Sequence, residues 1–274
     1  MTPDLPIATI VIIAVTGVVS FRAFHDDASA DRLIFSPEAI LVRKEYYRVV
    51  TSALLHADWQ HLLFNMISLG LFAQFMEPAI GAGRFLLIYF AGIIGGNLLS
   101  LYLHRHHEYF ALGASGGVCG VVFASIFLFP DERIGSLFLP IGIPGWLYAL
   151  LFLASEFYGG RRQRTNIGHD AHLGGAIVSL LTTTVMFPGI VRVSPWLYAA
   201  VITFTLGMFI YFWKSPLNLP WSNWSRRTSA PRPKARPGGP TAEEVDAVLE
   251  KVSQKGFQSL TRKEREILEH AAKK

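Results

Sequence analysis

Leu112-Gly113-Ala114-Ser115-Gly116-Gly117-Val118-Cys119-Gly120 sets a serine among glycines at the mouth of an apolar run that continues to Phe129. Serine in a membrane span usually just bonds back to its own helix backbone. Behind Ser115, the small residues Gly116, Gly120 and Ala124 recur at every fourth position. On a helix they form one face that lets a second helix approach closely. Read alone, the stretch points to packing first. It points to chemistry only if a histidine elsewhere can reach the serine.

The chain has 274 residues, 51% hydrophobic and only 16% charged. A soluble domain carries about 25% charged residues. With a mean hydropathy of +0.35, most of the chain belongs in lipid. The formal charge of +5 is uneven, and much of the positive charge follows residue 214. No stacking or groove-reading motif accompanies it, so it reads as a basic tail near a membrane and not as a nucleic-acid surface. The single cysteine, Cys119, excludes an intrachain disulfide. The first apolar run lacks a basic leader and a clear A-x-A end, so it is expected to be a span and not a cleaved signal peptide.

Seven apolar runs follow one another: Leu5–Phe21, Leu62–Phe75, Phe85–Leu103, Ser115–Phe129, Ile141–Phe157, His172–Phe187 and Trp196–Trp213. Each is expected to be a membrane-crossing helix, the shorter ones helped by their polar flanks toward the roughly 20 residues that a span needs. Trp196, Tyr198, Tyr211 and Trp213 sit where interfacial anchors belong in the seventh. No run alternates as a strand would, which argues against an outer-membrane barrel. The long first loop, Arg22–Leu55, mixes charges with apolar pieces and suits a segment folded on the membrane surface.

The expected division is a membrane domain at 1–214, a Ser/Arg/Pro/Gly-rich linker at 215–240 and a short helical hairpin at 241–274. Thr241-Ala242-Glu243-Glu244 and Thr261-Arg262-Lys263-Glu264 both read as capping boxes ahead of amphipathic runs. Gly256 closes the first of these helices. The hairpin either docks onto a partner or the core, or is a solvated appendage.

Polar residues inside apolar runs need a reason, because each is costly in lipid. His61 and Asn65 are four apart and share a helix face. His172 opens a span, with Gly168, Gly175 and Ser179 on or near its face. Packing that small face on the one behind Ser115 brings serine and histidine together. The starts of alternate spans lie on one side of the membrane, so Ser115, His172, His61 and Asn65 fall in one layer. That layer holds an activated hydroxyl, a base and oxyanion donors, the set that acyl transfer needs. No third carboxylate is evident. Asp170 lies about 200° round the helix from His172, so a Ser–His dyad is preferred to a triad. Ser115–Phe129 makes only about 22 Å of helix, which places Ser115 about 8 Å below its own side of a roughly 30 Å core.

Gly113-Ala114-Ser115-Gly116 fits a G-x-S-G motif, and Ala171-His172-Leu173-Gly174-Gly175 fits A-H-x-x-G. His56, His61 and Asn65 fit H-x-x-x-x-H-x-x-x-N. Tyr47-Arg48 stands in the first loop where Trp-Arg is usual, and Glu77 follows the second span. In this order, over most of residues 1–190, the chain resembles the rhomboid family of intramembrane serine proteases. The resemblance implies an all-α polytopic membrane protein with six core helices, the seventh an addition. It implies Ser115 as nucleophile, His172 as general base, and an oxyanion site from His61, Asn65 and the Ser115 backbone N–H. His56, Gly113, Gly116 and Gly175 are supporting residues in that scheme. The implied partners are transmembrane protein substrates and the bilayer, with no cofactor and no metal. The implied setting is a bacterial inner membrane, with the active site opening away from the cytoplasm. Arg161, Arg162, Arg164 and the basic linker run against that orientation by the positive-inside rule, so the side holding the tail stays open.

Two departures stand out. Cys119 occupies the turn after the nucleophile, where family members often place an aromatic ring against the histidine. Tyr47 replaces a tryptophan. His169 is a rival base, set below His172 because it falls off the small-residue face. Two other functions compete with proteolysis. One is an inactive rhomboid-like protein that binds membrane clients. The other is a metal site or transporter built on His56, His61, His169 and His172. The 169/172 pair lacks the i, i+4 spacing and glutamate of a helical zinc protease site.

Overall fold

A helix forms on each of the seven apolar runs in the computed structural model, which describes residues 5–106, 108–136, 139–162 and 168–214 with scattered tail residues (248, 251, 260, 261, 263–265 and 267). Helix α1 is Ile7–Ala23, and the first loop holds three short helices, α2 (Asp27–Leu33), α3 (Pro37–Leu41) and α4 (Arg48–Thr51). Then come α5 (Trp59–Ile80), α6 (Ala82–His104) and α7 (Ser115–Leu128). A strand pair, β1 (Arg133–Ser136) and β2 (Leu139–Pro144), leads into α8 (Gly145–Arg162). The membrane domain ends with α9 (His169–Met186), the short α10 (Ile190–Val193) and α11 (Pro195–Lys214).

The strand pair departs from an all-helical expectation. The expected span opens at Ile141, but Leu139–Pro144 instead form β2 and pair antiparallel with β1. Pro140, Gly142 and Pro144 explain the delay, since proline removes a helical donor and glycine weakens a helix. The helix starts at Gly145 and runs on to Arg162.

Helices α5 and α6 have the length and apolar composition of bilayer spans, whereas α1, α7 and Pro195–Tyr211 are shorter apolar helices. Many large side chains on the outer faces are half-exposed or more, Phe64, Phe75, Leu98 and Val185 among them. An apolar outside of this extent suits lipid and not water. Helix α7 is the opposite case. It has only 14 residues, and every residue from Gly116 to Phe127 is buried. At about 21 Å it is the short central rod of the bundle, packed against α5, α6 and α9.

Glycines set the spacing around that rod. A Cβ on Gly175 would stand 2.2 Å from the Gly116 carbonyl oxygen, and one on Gly120 would stand 2.0 Å from Ser179 Oγ. The small faces of α7 and α9 therefore meet, as their spacing predicts. Helix α6 adds a third small face that the sequence reading did not use. A Cβ on Gly96 would lie 2.4 Å from the Ala171 carbonyl oxygen, and one on Gly95 would lie 2.5 Å from Val178. Ser179 Oγ donates to the Ile88 carbonyl at 2.8 Å and ties α9 to α6 across this seam.

Helix α1 starts with no side-chain cap of its own, behind Pro6. Glu77, buried near the end of α5, supplies one from a distance. Its carboxylate accepts from the Ala8 N–H at 2.8 Å, the Thr9 N–H at 2.8 Å and the Thr9 hydroxyl at 2.7 Å. A carboxylate suits a helix start, whose first N–H groups lack partners and carry partial positive charge. Glu77→Gln replaces one acceptor oxygen with an NH₂ that faces existing donors. The expected result is a loss of roughly 2 kcal/mol or more, read as a lower midpoint of thermal unfolding in detergent.

Residues Ser225–Lys274 form a second compact unit. The capping box expected at Thr261 is present: Thr261 N–H donates to Glu264 at 2.7 Å, and Glu264 N–H to Thr261 Oγ1 at 3.4 Å. Lys251 Nζ joins the same carboxylate at 2.8 Å and, with the cap, holds Glu264 down to about 2. Val248 and Leu260 are buried. The other capping box, the turn at Gly256 and the 215–240 linker lie outside the described residues.

Candidate active site

The first loop is a scaffold, and Arg48 is its tie. Its buried guanidinium donates to the Asp31 carbonyl at 2.6 Å and the Ile34 carbonyl at 2.8 Å, and pairs with Glu45. That bond to Arg48 holds Glu45 below the usual carboxylate range. The half-exposed Tyr47 ring lies 5.7 Å from the same guanidinium. Asn97 of α6 donates to the Val49 carbonyl at 2.7 Å and so fastens the loop to the bundle.

The residues leading to Ser115 hang on this scaffold. Phe35 and Ala111 exchange backbone bonds of 3.0 and 3.3 Å, and the Gly113 N–H donates to the Ser52 carbonyl at 3.0 Å. Gly113 has φ of 130°, a backbone conformation that glycine takes most readily. The Ala114 N–H donates to His56 Nε2 at 3.4 Å. That bond fixes the tautomer, because an acceptor Nε2 leaves the proton on Nδ1. His56 Nδ1–H then donates to Ser20 Oγ at 3.0 Å, and Ser20 donates to the Leu54 carbonyl at 2.8 Å. Ser115 follows as the first residue of α7 and is partly exposed.

His61 lies in the first turn of α5, which Asp58 caps by accepting the His61 N–H at 2.8 Å. Its ring stands edge-on to His56, with centroids 4.9 Å apart. The Ala57 N–H reaches His61 Nδ1 at 3.5 Å, which leaves the ring proton on Nε2. A Cβ built on Gly113 would lie 3.0 Å from His61 Nε2 and 3.7 Å from Ser115 Oγ. The donor edge of His61 and the serine hydroxyl thus flank one point, which glycine keeps open. Asn65 is buried and spends one amide hydrogen on the His61 carbonyl at 3.0 Å. Its second amide hydrogen remains for another acceptor.

His172 lies in the first turn of α9. The Ala171 carbonyl oxygen, one residue before it, would be 3.3 Å from a Cβ on Gly116, one residue after Ser115. His61 and His172 interact electrostatically. Asp170 points elsewhere, as its helical angle predicts, and pairs with the buried His104 at 3.2 Å. The His104 ring stacks on Tyr109 at 3.7 Å.

One residue escaped the sequence reading. Glu156 of α8 is buried, with one oxygen 2.7 Å from His169 Nδ1 and the other 3.1 Å from His172 Nδ1. The first contact is a hydrogen bond. The second has an ion pair's distance, but the ring is turned so that Nδ1 makes no hydrogen bond. The signal was available: Glu156 is the one charged residue in the apolar run Ile141–Phe157, and a lone carboxylate in a span is rarely idle. It corrects the expectation that no carboxylate shares the layer of His172.

The helices, their glycine seams and the grouping of His56, His61 and Ser115 define a membrane-embedded helical core with a polar site at one end. Residues 43–189 match the model of the Rhomboid domain, and the chain belongs to the rhomboid family of integral membrane proteins. Residues 241–274 match a family of unknown function, DUF6576. The chain is 37% identical over 143 residues to YdcA of Bacillus subtilis (strain 168), provisionally named a rhomboid protease, covering 50% of this chain and 67% of that one. It is 28% identical over 190 residues to RHOMBOID-like protein 12, mitochondrial, of Arabidopsis thaliana, covering 62% and 55%. Rhomboid protease GluP of Bacillus subtilis is 31% identical over 140 residues, 51% of this chain but only 26% of that protein.

Proposed function

We propose that the chain is an intramembrane serine endopeptidase that cuts transmembrane protein substrates with Ser115 and His172. The observation that carries this reading is the pairing of His61 Nε2 and Ser115 Oγ about the open point at Gly113. A hydroxyl at a helix start, beside an imidazole whose proton points the same way, is half of an acyl-transfer site. The close approach of Gly116 to Ala171 of α9 supports the other half of the reading, His172 in the first turn of the facing helix.

In the first step Ser115 Oγ bonds to the scissile carbonyl carbon while its proton passes to His172 Nε2. The carbonyl oxygen takes the negative charge and is met by donors from His61, Asn65 and the Ser115 N–H. The C–N bond then breaks, and the proton on Nε2 goes to the leaving amine. Water, deprotonated by His172, attacks the acyl-serine. The new carboxyl product leaves, and the proton returns to Ser115. No step needs a metal or cofactor. The bundle is read as six core spans with α11 as a seventh, set in a bacterial inner membrane with the site opening away from the cytoplasm. The tail is read as a linker with a helical hairpin.

The test is cleavage of a model transmembrane substrate by purified wild-type and Ser115→Ala protein, with fluorophosphonate labelling alongside. Ser115→Ala is expected to lose both cleavage and labelling while keeping its melting profile. Cleavage at the wild-type rate by Ser115→Ala ends the proposal. A folded wild-type protein that neither cleaves nor labels favours a client-binding relative instead.

A further inference from the structure

Helix α8 presents Tyr148, Phe152 and Glu156 at intervals of four, so the three share one face. Phe152 sets its ring 6.4 Å from the His172 imidazole and 6.4 Å from Tyr148, on which it stacks. Glu156, one turn further on, sets a carboxylate oxygen 3.1 Å from His172 Nδ1. Cys119 leaves the turn after the nucleophile without a ring. A phenyl ring and a carboxylate beside the histidine come from α8 instead.

We propose that Glu156 is a positioning residue for His172 and makes the site a Ser115–His172–Glu156 triad, with His169 holding the carboxylate in place. The inference rests on the serine-protease reading above and deepens it. A base that takes a proton on Nε2 must carry its own proton on Nδ1. An anion facing Nδ1 selects that tautomer and stabilises the imidazolium formed in each step. The second oxygen of Glu156 is fixed at 2.7 Å by His169 Nδ1, so the carboxylate has one oxygen left for His172. The poor alignment at 3.1 Å is what a site without substrate often shows, tightening in the reacting complex. Glu156 stays ionised throughout, and no proton passes to it. The titratable groups that interact with this pair are His169, His61 of α5, Cys119 of α7 and Tyr148 of α8.

Two other roles fit the same atoms. Glu156 could merely clamp α8 to α9 through His169. Alternatively, the three ligand atoms of Glu156, His169 and His172, all within 4.8 Å of one another, could hold a metal ion. Glu156→Gln separates them, because the amide keeps the size and most of the hydrogen bonding but loses the charge. In the full-length protein, Glu156→Gln is expected to lower kcat at least about tenfold with KM unchanged. The acid limb of its pH–rate profile is expected to move down by about one pH unit, because the anion no longer favours the protonated imidazole. Fluorophosphonate labelling of Ser115 should slow by the same factor as kcat.

A clamp predicts an unmoved acid limb, and that result overturns the triad. So does a kcat within about twofold of wild type. Activity lost on chelation and restored by Zn²⁺ also overturns it, in favour of a metal. Should Glu156→Gln not fold, the double variant His169→Gln/Glu156→Gln replaces the pair with two amides that can bond each other, and its acid limb decides. If the wild type neither cleaves nor labels at Ser115, the protease reading falls and the triad with it. If the wild type does both and Glu156→Gln matches it, only the role of Glu156 falls.

Discussion

On the serine-protease reading, Gly175→Ala is expected to lower proteolysis on the order of 100-fold or more, although its single added methyl group touches no reacting atom. The new Cβ would stand 2.2 Å from the Gly116 carbonyl oxygen, 2.7 Å from its carbonyl carbon and 2.8 Å from its Cα. All three are backbone atoms and cannot turn aside, so α7 and α9 must part. Overpacking of this kind costs about 1–3 kcal/mol, which a bundle this apolar can absorb. Catalysis is less tolerant, since a misplacement of about 1 Å costs on the order of 100-fold in rate. The displaced residues are the neighbours of Ser115 and His172 themselves.

Two further alanines calibrate the result. Gly120→Ala meets Ser179 Oγ at 2.0 Å, which can rotate away at the cost of its bond to Ile88, and Ser179 Cβ at 2.7 Å, which cannot. It too must part the helices, by less than the backbone overlap at Gly175 demands. Gly83→Ala meets nothing within 4 Å and should cleave at the wild-type rate. Cleavage assays of the three variants in detergent, with melting curves, read the order directly. A Gly175→Ala protein as active as Gly83→Ala shows that the seam does not set the geometry of the site.

The second large effect is that of His172→Ala. On the serine-protease reading, losing His172 leaves Ser115 with an ordinary hydroxyl, and kcat should fall roughly 10⁴-fold or more. Labelling by a fluorophosphonate should fall with it, because the reagent needs the same activated oxygen. Fold should survive, because His172 is a partly exposed side chain in the first turn of α9. Substantial residual cleavage would instead point to another base, with His169 as the first to examine.

The helices and the small-residue seam between α7 and α9 are legible in the sequence because both are periodic and local. Hydropathy marks each helix to within a few residues, except where Pro140 and Pro144 postpone α8. Gly116, Gly120 and Ala124 announce a close approach by their spacing alone. The hidden parts are those that depend on which helix faces which. Gly92, Gly95 and Gly96 read as ordinary glycines in a span until α9 is laid against them. Glu156 reads as one carboxylate near the end of an apolar run until α8 brings it to His169 and His172. Glu77 could be matched to a pattern, but its work as the missing cap of α1 needs a contact across 68 residues.

Helix α7 is shorter than the bilayer and enclosed by its neighbours. A helix that faces lipid tilts or shifts when the hydrocarbon thickness changes. Helices α5 and α6 must respond in that way, because their outer faces are bare. The enclosed rod meets lipid only through the helices packed on it, and its Ser115 end is tethered through Gly113 to the first loop. The depth of Ser115 is therefore set first by the packing of the protein and only indirectly by the surrounding lipid. On the serine-protease reading, the polypeptide carries its own ruler for where in a substrate the serine can reach.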